Sequence, residues 1–390
     1  MRLAFALALL ASQTTAQTCG GPLPAFIDGV KAEAAAQSIS AAASDAFFAG
    51  AALDPAVIKA DRSQGVFQRD FIDFSRRLIS QNRLDNGRIY GDRNDAVFDQ
   101  IARDYGIPRG VLLAFWAFET DYGQVQGDFN TRNALLTLAH DCRRPELFRP
   151  QLIAAIELAA RGDMDPATTT GAWAGEIGQV QMLPEDIIAY GRDGDGDGQV
   201  TLKTSSADAL LSGAHVLSAL GWRANEPWLQ EVTVPQDLNW AQTGLDHKMS
   251  VADWQAAGVA ARNGDLGPAD LPAAVLLPMG RKGPTFLAYP NFEVYFEWNK
   301  SFVYVTTAAY FATRLMGAPP YDAGNPDAGL SGDQMMVLQE RLTALGHDVG
   351  GIDGILGAKT RAAVQAEQQR LGLPADAWPT PAFLSALSAG

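Results

Sequence analysis

The chain has 390 residues, too many for one compact core and suited to two or three domains. Hydrophobic residues make up 47% of it and charged residues 19%, a composition that excludes wholesale disorder. The 30 Lys and Arg residues against 44 Asp and Glu give a net charge of −14, which excludes the basic surface that nucleic-acid binding requires.

The N-terminus has the pattern of an export signal. Arg2 is followed by the apolar run 3–11 and then by small residues, with Thr14 and Ala16 at the −3 and −1 positions of a cleavage site. We predict a signal peptide over residues 1–16 and a soluble periplasmic protein, since no apolar run reaches the ~18 residues of a membrane span. Lipid anchoring at Cys19 is not predicted, because the residues before it do not match a lipoprotein signal.

Cysteine and histidine usage excludes a zinc hydrolase. The four histidines share no HxxxH or HxH spacing, and two cysteines alone cannot complete a zinc site. His140 lies two residues before Cys142, so a Cys/His nucleophile is one interpretation. The interpretation that we adopt is a disulfide between Cys19 and Cys142, because exported chains with an even number of cysteines usually pair them.

Residues from 24 to about 160 have apolar side chains at three- and four-residue spacing, which is typical of helices. The predicted helices are residues 26–38, 94–105, 108–118, 133–140 and 145–161. Glycine and aspartate dominate residues 162–198, which we predict to be mostly loops, and a helix resumes over residues 206–220.

The next part of the chain has a different pattern. Short β-branched or aromatic segments between Pro and Gly predict strands over residues 229–234, 273–277, 285–288 and 294–298. A last apolar helix over residues 303–315 is followed by a segment at 317–329 whose Gly, Pro and Asp content is typical of a linker.

A carboxyl group ends the most apolar helix. Eight consecutive apolar residues, 111–118, predict a helix that is buried on every side, and Glu119 follows directly, with Gly123 as the stop. Burial would raise the pKa of this carboxyl group, which suits a general acid that protonates a glycosidic oxygen. The alternative interpretation is a glutamate that has reached the surface and is paired with an arginine.

The glycine-rich segment 171–184 carries two side chains that suit a sugar ligand. Trp173 offers an apolar face for a sugar ring, and Gln181 has an amide that can pair with an acetamido group. The glycines would let the backbone approach a ligand closely. The alternative is a glycine-rich turn with a packed Trp and a capping Gln.

An aspartate-rich segment fits positions 1, 3, 5, 6 and 7 of an EF-hand calcium loop. The ligands that this pattern predicts are Asp193, Asp195, Asp197 and Gln199. Thr204 stands where the loop normally has a bidentate Glu, so we expect weak affinity and Asp208 as the source of the missing carboxylate. We predict a structural Ca²⁺ ion, and the alternative is a solvated turn.

The tail has a pattern of apolar helix positions around a tight turn, carried by Leu338-Gln339, Leu342, Leu345-Gly346, Asp353-Gly-Ile-Leu-Gly357, Thr360, Ala363-Val364 and Gln368. With these residues it resembles the type-1 peptidoglycan-binding module. The pattern alone would also fit an ordinary helical hairpin that binds nothing. The module normally has an aromatic residue where Glu367 stands, so the resemblance implies an altered pocket.

Motifs follow one another in family order along residues 22–316. They are Phe118-Glu119-Thr120-Asp121-Tyr122-Gly123, Leu136-Thr137-Leu138-Ala139, Gly171-Ala172-Trp173-Ala174-Gly175 with Gly178, Gln181 and Pro184, Asp193-Gly-Asp-Gly-Asp-Gly198, Asp208-Ala209, Gly221-Trp222 and Asn299-Lys-Ser301-Phe-Val-Tyr304. With these motifs the chain resembles the B family of lytic murein transglycosylases, glycoside hydrolase family 103. The resemblance implies a mainly α fold, with a lysozyme-like helical catalytic domain at 17–316 that carries a small α/β insertion, a linker at 317–329 and a small helical peptidoglycan-binding domain at 330–390.

The resemblance also implies roles for single residues. Glu119 would be the only catalytic acid and base, and Gln181, Asn299 and Tyr304 would line the cleft. Trp298 stands where the family usually has Tyr, so the hydroxyl group at that position is lost.

The implied reaction cleaves the MurNAc–GlcNAc β-1,4 bond of peptidoglycan. Glu119 would protonate the leaving oxygen, the N-acetyl group would stabilise the sugar cation, and the MurNAc 6-hydroxyl would attack C1 to leave a 1,6-anhydro end. No cofactor takes part in this chemistry. Peptidoglycan glycan strands are the expected partner, and other cell-wall enzymes are further candidates.

Two rival functions stay open at this point. A water-using muramidase would need a second carboxylate, for which Asp121 and Asp128 are candidates. Asp121 lies two residues from Glu119, so a continuing helix would point it to a different face. A catalytically silent wall-binding protein would instead rely on the tail alone.

Overall fold

A computed structural model describes residues 19–63 and 69–389, so the predicted signal peptide lies outside the described residues. The helices are α1 (Leu23–Ala36), α2 (Ala41–Phe48), α3 (Pro55–Arg62), α4 (Phe71–Leu78), α5 (Gln81–Arg93), α6 (Asp95–Tyr105), α7 (Arg109–Thr120), α8 (Thr131–His140), α9 (Pro145–Arg161), α10 (Pro184–Tyr190), α11 (Ser206–Ala219), α12 (Val251–Ala256), α13 (Pro290–Trp298), α14 (Phe302–Leu315), α15 (Gly332–Ala344), α16 (Ala358–Arg370) and α17 (Pro381–Ala389). The strands are β1 (Phe129–Asn130), β2 (Thr170–Gly171), β3 (Leu229–Thr233), β4 (Met249–Ser250), β5 (Ala260–Ala261), β6 (Pro272–Leu276) and β7 (Phe286–Ala288).

The chain divides into two compact units. The described part of the first comprises residues 19–62, 127–176 and 183–188, and that of the second comprises 63, 69–126, 177–182 and 189–389. The mainly helical class with a small sheet, as predicted from the sequence, is confirmed.

The first unit is a helical bundle whose N-terminal segment is covalently attached. Helix α9 packs against α1, α2 and α8, and β1 pairs with β2 in a short antiparallel ribbon. A disulfide joins Cys19 to Cys142 in the turn between α8 and α9. The Gly20 N–H donates to the carbonyl of His140 at 2.7 Å, and the His140 ring lies 5.0 Å from the ring of Phe26.

The second unit is built around helix α7. Residues 110–117 of α7 are all buried, as the unbroken apolar run predicts. Helix α14 packs along α7, and α5, α6 and α11 also contact it. A carboxylate at the last turn of this helix is therefore held by a rigid, fully packed element.

A five-stranded antiparallel sheet in the second unit has the strand order β4-β6-β7-β3-β5. The predicted strands near residues 229, 273 and 285 are present as β3, β6 and β7. The predicted strand at 294–298 is wrong, because these residues belong to α13. Pro290 begins that helix, and Tyr295 and Trp298, three residues apart, both face Phe115 of α7 at ring distances of 4.9 and 4.5 Å.

The tail forms its own small core of apolar side chains from α15, α16 and α17. Glu367, at the position where the type-1 module has an aromatic residue, is buried and accepts hydrogen bonds from His347 Nε2 at 2.9 Å and Arg370 Nε at 2.7 Å. The segment 317–329 contains no helix or strand. It is nevertheless held in place, since the carbonyl of Asp327 accepts a 2.9 Å hydrogen bond from the indole of Trp378.

No helix in the described ranges is both long and apolar enough to cross a membrane.

Candidate active site

Glu119 lies in the last turn of α7, directly after the buried run. The helix ends because Asp121, Tyr122 and Gly123 all take left-handed backbone conformations. Gly123 has φ +84°, a conformation that favours glycine, and a Cβ there would lie 2.7 Å from the end of the Gln179 side chain. The chain therefore leaves the helix axis directly after Thr120, while Glu119 is still part of the last helical turn.

Two side chains from distant parts of the chain converge on a single oxygen of Glu119. The Tyr304 hydroxyl donates to Oε1 at 2.6 Å, and the Trp298 indole N–H donates to the same atom at 3.0 Å. No described residue hydrogen-bonds Oε2. One oxygen of the carboxyl group is therefore anchored by two protein donors, and the other is not.

The surroundings of Glu119 favour its protonated form. Burial raises the pKa of Glu119 above its usual value, and the hydrogen bonds from Tyr304 and Trp298 only partly oppose this. Burial, followed by the charge of Glu119, raises the pKa of Tyr304 well above its usual range, so Tyr304 remains a hydrogen-bond donor. A carboxyl group in this state can deliver a proton near neutral pH.

The alternative of a surface glutamate paired with an arginine does not apply to Glu119. The nearby arginine, Arg83, instead donates from Nε to Asp121 at 3.0 Å. Asp121 is thereby neutralised by its own partner. Asp128, the other candidate for a second carboxylate, is exposed and belongs to the first unit.

The loop at 177–182 is attached to the end of α7. The Thr120 hydroxyl donates to the carbonyl of Gln179 at 2.6 Å and accepts from the Gly123 N–H at 2.9 Å. The amide nitrogen of Gln181 donates to the carbonyl of Gly178 at 2.8 Å. That nitrogen is engaged within the loop, and a contact of Gln181 with a ligand stays a prediction.

The glycines of segment 171–184 pack closely against other parts of the protein, and their approach to a ligand stays a prediction. A Cβ on Gly178 would lie 2.6 Å from the backbone of Leu202, and one on Gly175 would overlap the side chain of Leu135. They allow close packing within the protein. Trp173 is half-buried in the turn at 172–175 of the first unit, and its contact with a sugar stays a prediction.

Asn299 lies in the turn between α13 and α14. Its carbonyl Oδ1 accepts the N–H of Ser301 at 2.9 Å, and the Ser301 side chain in turn caps α14. Asn299 thus fixes the connection between the two helices that carry Trp298 and Tyr304. A direct contact of Asn299 with a ligand stays a prediction.

The three predicted calcium-binding aspartates lie together. Asp193, Asp195 and Asp197 each offer a carboxylate oxygen, and these oxygens lie within 4.8 Å of one another. The backbone N–H groups of Gly198 and Gly196 lower the pKa of Asp193, so its carboxylate is ionised at neutral pH. An ionised, all-oxygen donor set of this kind fits Ca²⁺.

Asp208 is not part of that cluster. Its side chain is fully buried, with one oxygen accepting the Gly194 N–H at 2.8 Å and the other the Thr201 N–H at 2.7 Å. Asp208 therefore closes the loop by holding its two ends, and its role as a further carboxylate ligand stays a prediction. The contribution of Gln199 stays a prediction.

Two residues that complete the site were missed from the sequence. Arg83, which neutralises Asp121, lies 38 residues away from it in the chain. Gln179, whose carbonyl accepts the hydrogen bond of the Thr120 hydroxyl, lies 59 residues away from Thr120. Neither belongs to a periodic or charged pattern that singles it out. Only the packing of α5 and the loop against α7 identifies them.

Comparison with known families finds two matches along the chain. The transglycosylase SLT domain family matches residues 23–313, and the peptidoglycan binding domain family matches residues 331–387.

Comparison with known structures and curated proteins agrees with these matches. The crystal structure of SltB3 from Pseudomonas aeruginosa in complex with NAG-anhNAM-pentapeptide is 35% identical to this chain, covers 95% of it and 100% of that chain, and has a TM-score of 0.85. The membrane-bound lytic murein transglycosylase B of Escherichia coli (strain K12) is 25% identical over 232 residues, or 59% of this chain. That alignment spans 63% of the E. coli protein, less than two thirds of its length.

A similarity in fold extends to a third protein. The Escherichia coli lytic transglycosylase Slt35 in complex with calcium is 23% identical, covers 78% of this chain and 97% of that chain, and has a TM-score of 0.61.

Proposed function

Because this chain belongs to the transglycosylase SLT domain family, we propose that it is a lytic transglycosylase that cleaves the MurNAc–GlcNAc β-1,4 bond of peptidoglycan. The observation that carries the proposal is the half-buried carboxyl group of Glu119, whose Oε1 accepts hydrogen bonds from Tyr304 and Trp298 and whose Oε2 has no donor among the described residues. The SltB3 complex with an anhydro-sugar fragment, at 35% identity over nearly the whole chain, supports the choice of substrate.

Glu119 performs both proton transfers in this proposal. Oε2 donates its proton to the glycosidic oxygen as the C1–O bond breaks, and the sugar cation is stabilised by its own N-acetyl group. The resulting carboxylate then takes the proton of the MurNAc 6-hydroxyl as that oxygen bonds to C1. Tyr304 and Trp298 hold Oε1 throughout, so the carboxylate form is stabilised when the proton has left.

The ion pair of Asp121 favours this reaction over hydrolysis by water. A hydrolase of the two-carboxylate type needs a second carboxylate that activates water or attacks C1. Asp121 is bound to Arg83 and therefore unsuited to that role. The 6-hydroxyl of the same sugar also has a large proximity advantage over bulk water.

The product tests the proposal. Digests of purified sacculi with this protein should contain muropeptides that end in 1,6-anhydroMurNAc, lighter by one water than muramidase products, as mass spectrometry of the soluble fraction can measure. The Asp121→Asn variant should give the same anhydro ends. Reducing-end MurNAc as the main product would refute the transglycosylase assignment. If the Asp121→Asn variant then no longer formed reducing-end MurNAc, Asp121 would be identified as the second carboxylate.

Removal of the Tyr304 hydroxyl should change the pH dependence of the reaction. The acid form of Glu119 starts the reaction, so kcat/KM falls as pH rises through the pKa of Glu119. The Tyr304 hydrogen bond lowers that pKa, so in Tyr304→Phe the alkaline limb of kcat/KM should move up by about one pH unit. Trp298→Phe should move it in the same direction by less, because its hydrogen bond is longer.

The matched control is Tyr105→Phe, which removes the hydroxyl of a tyrosine on α6. Its alkaline limb should coincide with that of the wild type. A limb in Tyr304→Phe that is unmoved or moves to lower pH would show that Tyr304 does not stabilise the Glu119 carboxylate.

We propose further that the loop at 193–199 binds a structural Ca²⁺ ion. Asp193, Asp195 and Asp197 would supply the carboxylate ligands, and the ion would relieve their mutual repulsion. The ion takes no part in the reaction that Glu119 carries out.

Calcium should therefore raise the melting temperature of the protein. Asp195→Ala should abolish the difference between samples with calcium and samples with chelator, measured by differential scanning fluorimetry. Asp237→Ala, which removes an exposed aspartate outside the cluster, should keep it. Identical melting of the wild type in calcium and in chelator would show that the segment is an ordinary turn.

We also propose that the protein works in the periplasm and uses its tail to bind the wall. The disulfide between Cys19 and Cys142 supports an oxidising compartment, and the signal pattern of residues 1–16 supports export. The match of residues 331–387 to a peptidoglycan binding domain supports the tail's role. Other cell-wall enzymes remain proposed partners.

A further inference from the structure

One side chain of the tail (residues 330–390) is buried against the part of the second unit that carries Glu119. Arg361 of α16 is 8% exposed, and its Nη2 donates to the carbonyl of Pro278 at 2.7 Å. Its Nη1 donates to the carbonyl of Leu277 at 3.4 Å. Both carbonyl groups follow directly after strand β6, so the tail is fixed to the sheet by a charged hydrogen-bond donor.

The same guanidinium group lies against the first residue of α14. Its Cζ atom is 4.4 Å from the centre of the Phe302 ring, and the ring of Trp378 lies 5.9 Å away. Phe302 is itself only 6% exposed. Burial lowers the pKa of Arg361 to about 9, which still leaves it charged at neutral pH and favours a strong cation–π contact.

Phe302 and Tyr304 belong to the same turn of α14. Consecutive residues of a helix rise by about 1.5 Å, so the two Cα atoms are parts of one rigid element. Tyr304 extends from this turn to Oε1 of Glu119, while Trp298, just before the turn, reaches the same oxygen. A shift of Phe302 would therefore be transmitted to both donors, and displacements of about 1 Å at a reacting group can cost a factor of about 100 in rate.

We infer that Arg361 is a positioning residue for the reaction, holding the start of α14 through Phe302 so that Tyr304 and Trp298 stay in hydrogen-bond contact with Glu119. The tail then has two tasks, to bind the wall and to complete the support of the catalytic acid. This inference rests on the proposed role of Glu119.

The test uses the full-length Arg361→Met variant, which keeps much of the side-chain volume but removes the charge and the donors. Soluble, uncrosslinked glycan strands serve as substrate, so that wall binding does not limit the rate. We expect kcat to fall about fivefold or more with KM nearly unchanged, and the alkaline limb of kcat/KM to move up by about half a pH unit. Weaker binding of the tail to the glycan alone would change KM and leave the alkaline limb of kcat/KM in place.

A second variant on the same helix separates this contact from general docking of the tail. Gln365 lies one turn after Arg361 and donates to the carbonyls of Thr243 and Trp240 at 2.8 and 3.0 Å, neither of which belongs to α14. Gln365→Met should keep the wild-type kcat and the wild-type alkaline limb of kcat/KM. Arg361→Lys, which keeps the charge, should recover part of the kcat that Arg361→Met loses. Phe302→Leu should move the alkaline limb of kcat/KM as far as Arg361→Met does. The variant that combines Phe302→Leu with Arg361→Met should show no larger shift.

The inference would be overturned if Arg361→Met left kcat and the alkaline limb of kcat/KM unchanged. It would also be overturned if Gln365→Met moved that limb as far as Arg361→Met does. If circular dichroism shows that Arg361→Met is unfolded, Phe302→Leu decides by the same two readouts. These outcomes leave the proposed function untouched, since that proposal is decided by whether the wild type forms mainly anhydro or mainly reducing-end products.

Discussion

Glu119→Gln should lose turnover of purified sacculi by about two to four orders of magnitude, which corresponds to about 3–5 kcal/mol of activation free energy. The substitution keeps the shape of the side chain and leaves an acceptor oxygen for Tyr304 and Trp298. It removes the proton that the leaving oxygen must receive. The variant should therefore fold normally and still sediment with sacculi, so that only the chemical step is lost.

The matched control is Glu293→Gln, the same change at an exposed residue that is ion-paired with Lys248. Its release of soluble muropeptides should equal that of the wild type. Turnover of Glu119→Gln within about tenfold of the wild type would remove Glu119 from the role of general acid. Loss of sacculus binding together with turnover would point instead to a folding defect.

Removal of the disulfide should cause the largest loss of stability. Cys19 and Cys142 are 123 residues apart, and a closed loop of that length stabilises the folded state by about 4–5 kcal/mol in the chain-entropy model, as an upper value. Cys19→Ser combined with Cys142→Ser should lower the free energy of unfolding of the first unit by up to that amount. Denaturant titration followed by circular dichroism measures it.

Two controls accompany this prediction. A reducing agent should lower the stability of the wild type to that of the double serine variant and leave the variant itself unchanged. Thiol titration of denatured, unreduced protein should find no free thiol. Two free thiols, or equal stability of the wild type with and without reductant, would contradict the prediction.

Opposing effects at Glu119 explain why the site combines an apolar helix with polar donors. Burial alone would keep the carboxyl group protonated, which suits the first proton transfer but hinders its return as a base. The hydrogen bonds of Tyr304 and Trp298 lower the cost of the carboxylate form. Trp298 supplies its donor from an indole N–H, so this position offers Glu119 a polar group although it lacks the tyrosine hydroxyl that the family usually has there.

The sequence by itself determined the features that depend on neighbouring residues. The apolar run at 111–118 is a local pattern, and it correctly predicted a buried helix ending at a carboxyl group. The alternating aspartates at 193–197 likewise correctly predicted three carboxylates in one small cluster, since their spacing leaves the chain little choice. Family motifs in their order extended these local patterns to the fold class.

The tertiary structure alone decided which atoms meet. Trp298 and Tyr304 are 179 and 185 residues from Glu119, and no periodicity reports that both reach the same oxygen. Residues 294–298 have the composition of a strand, yet they form a helix because Tyr295 and Trp298 pack on Phe115 of α7. Hydrophobic pattern and backbone propensity act over a few residues, whereas hydrogen-bond partners are chosen by how whole elements pack.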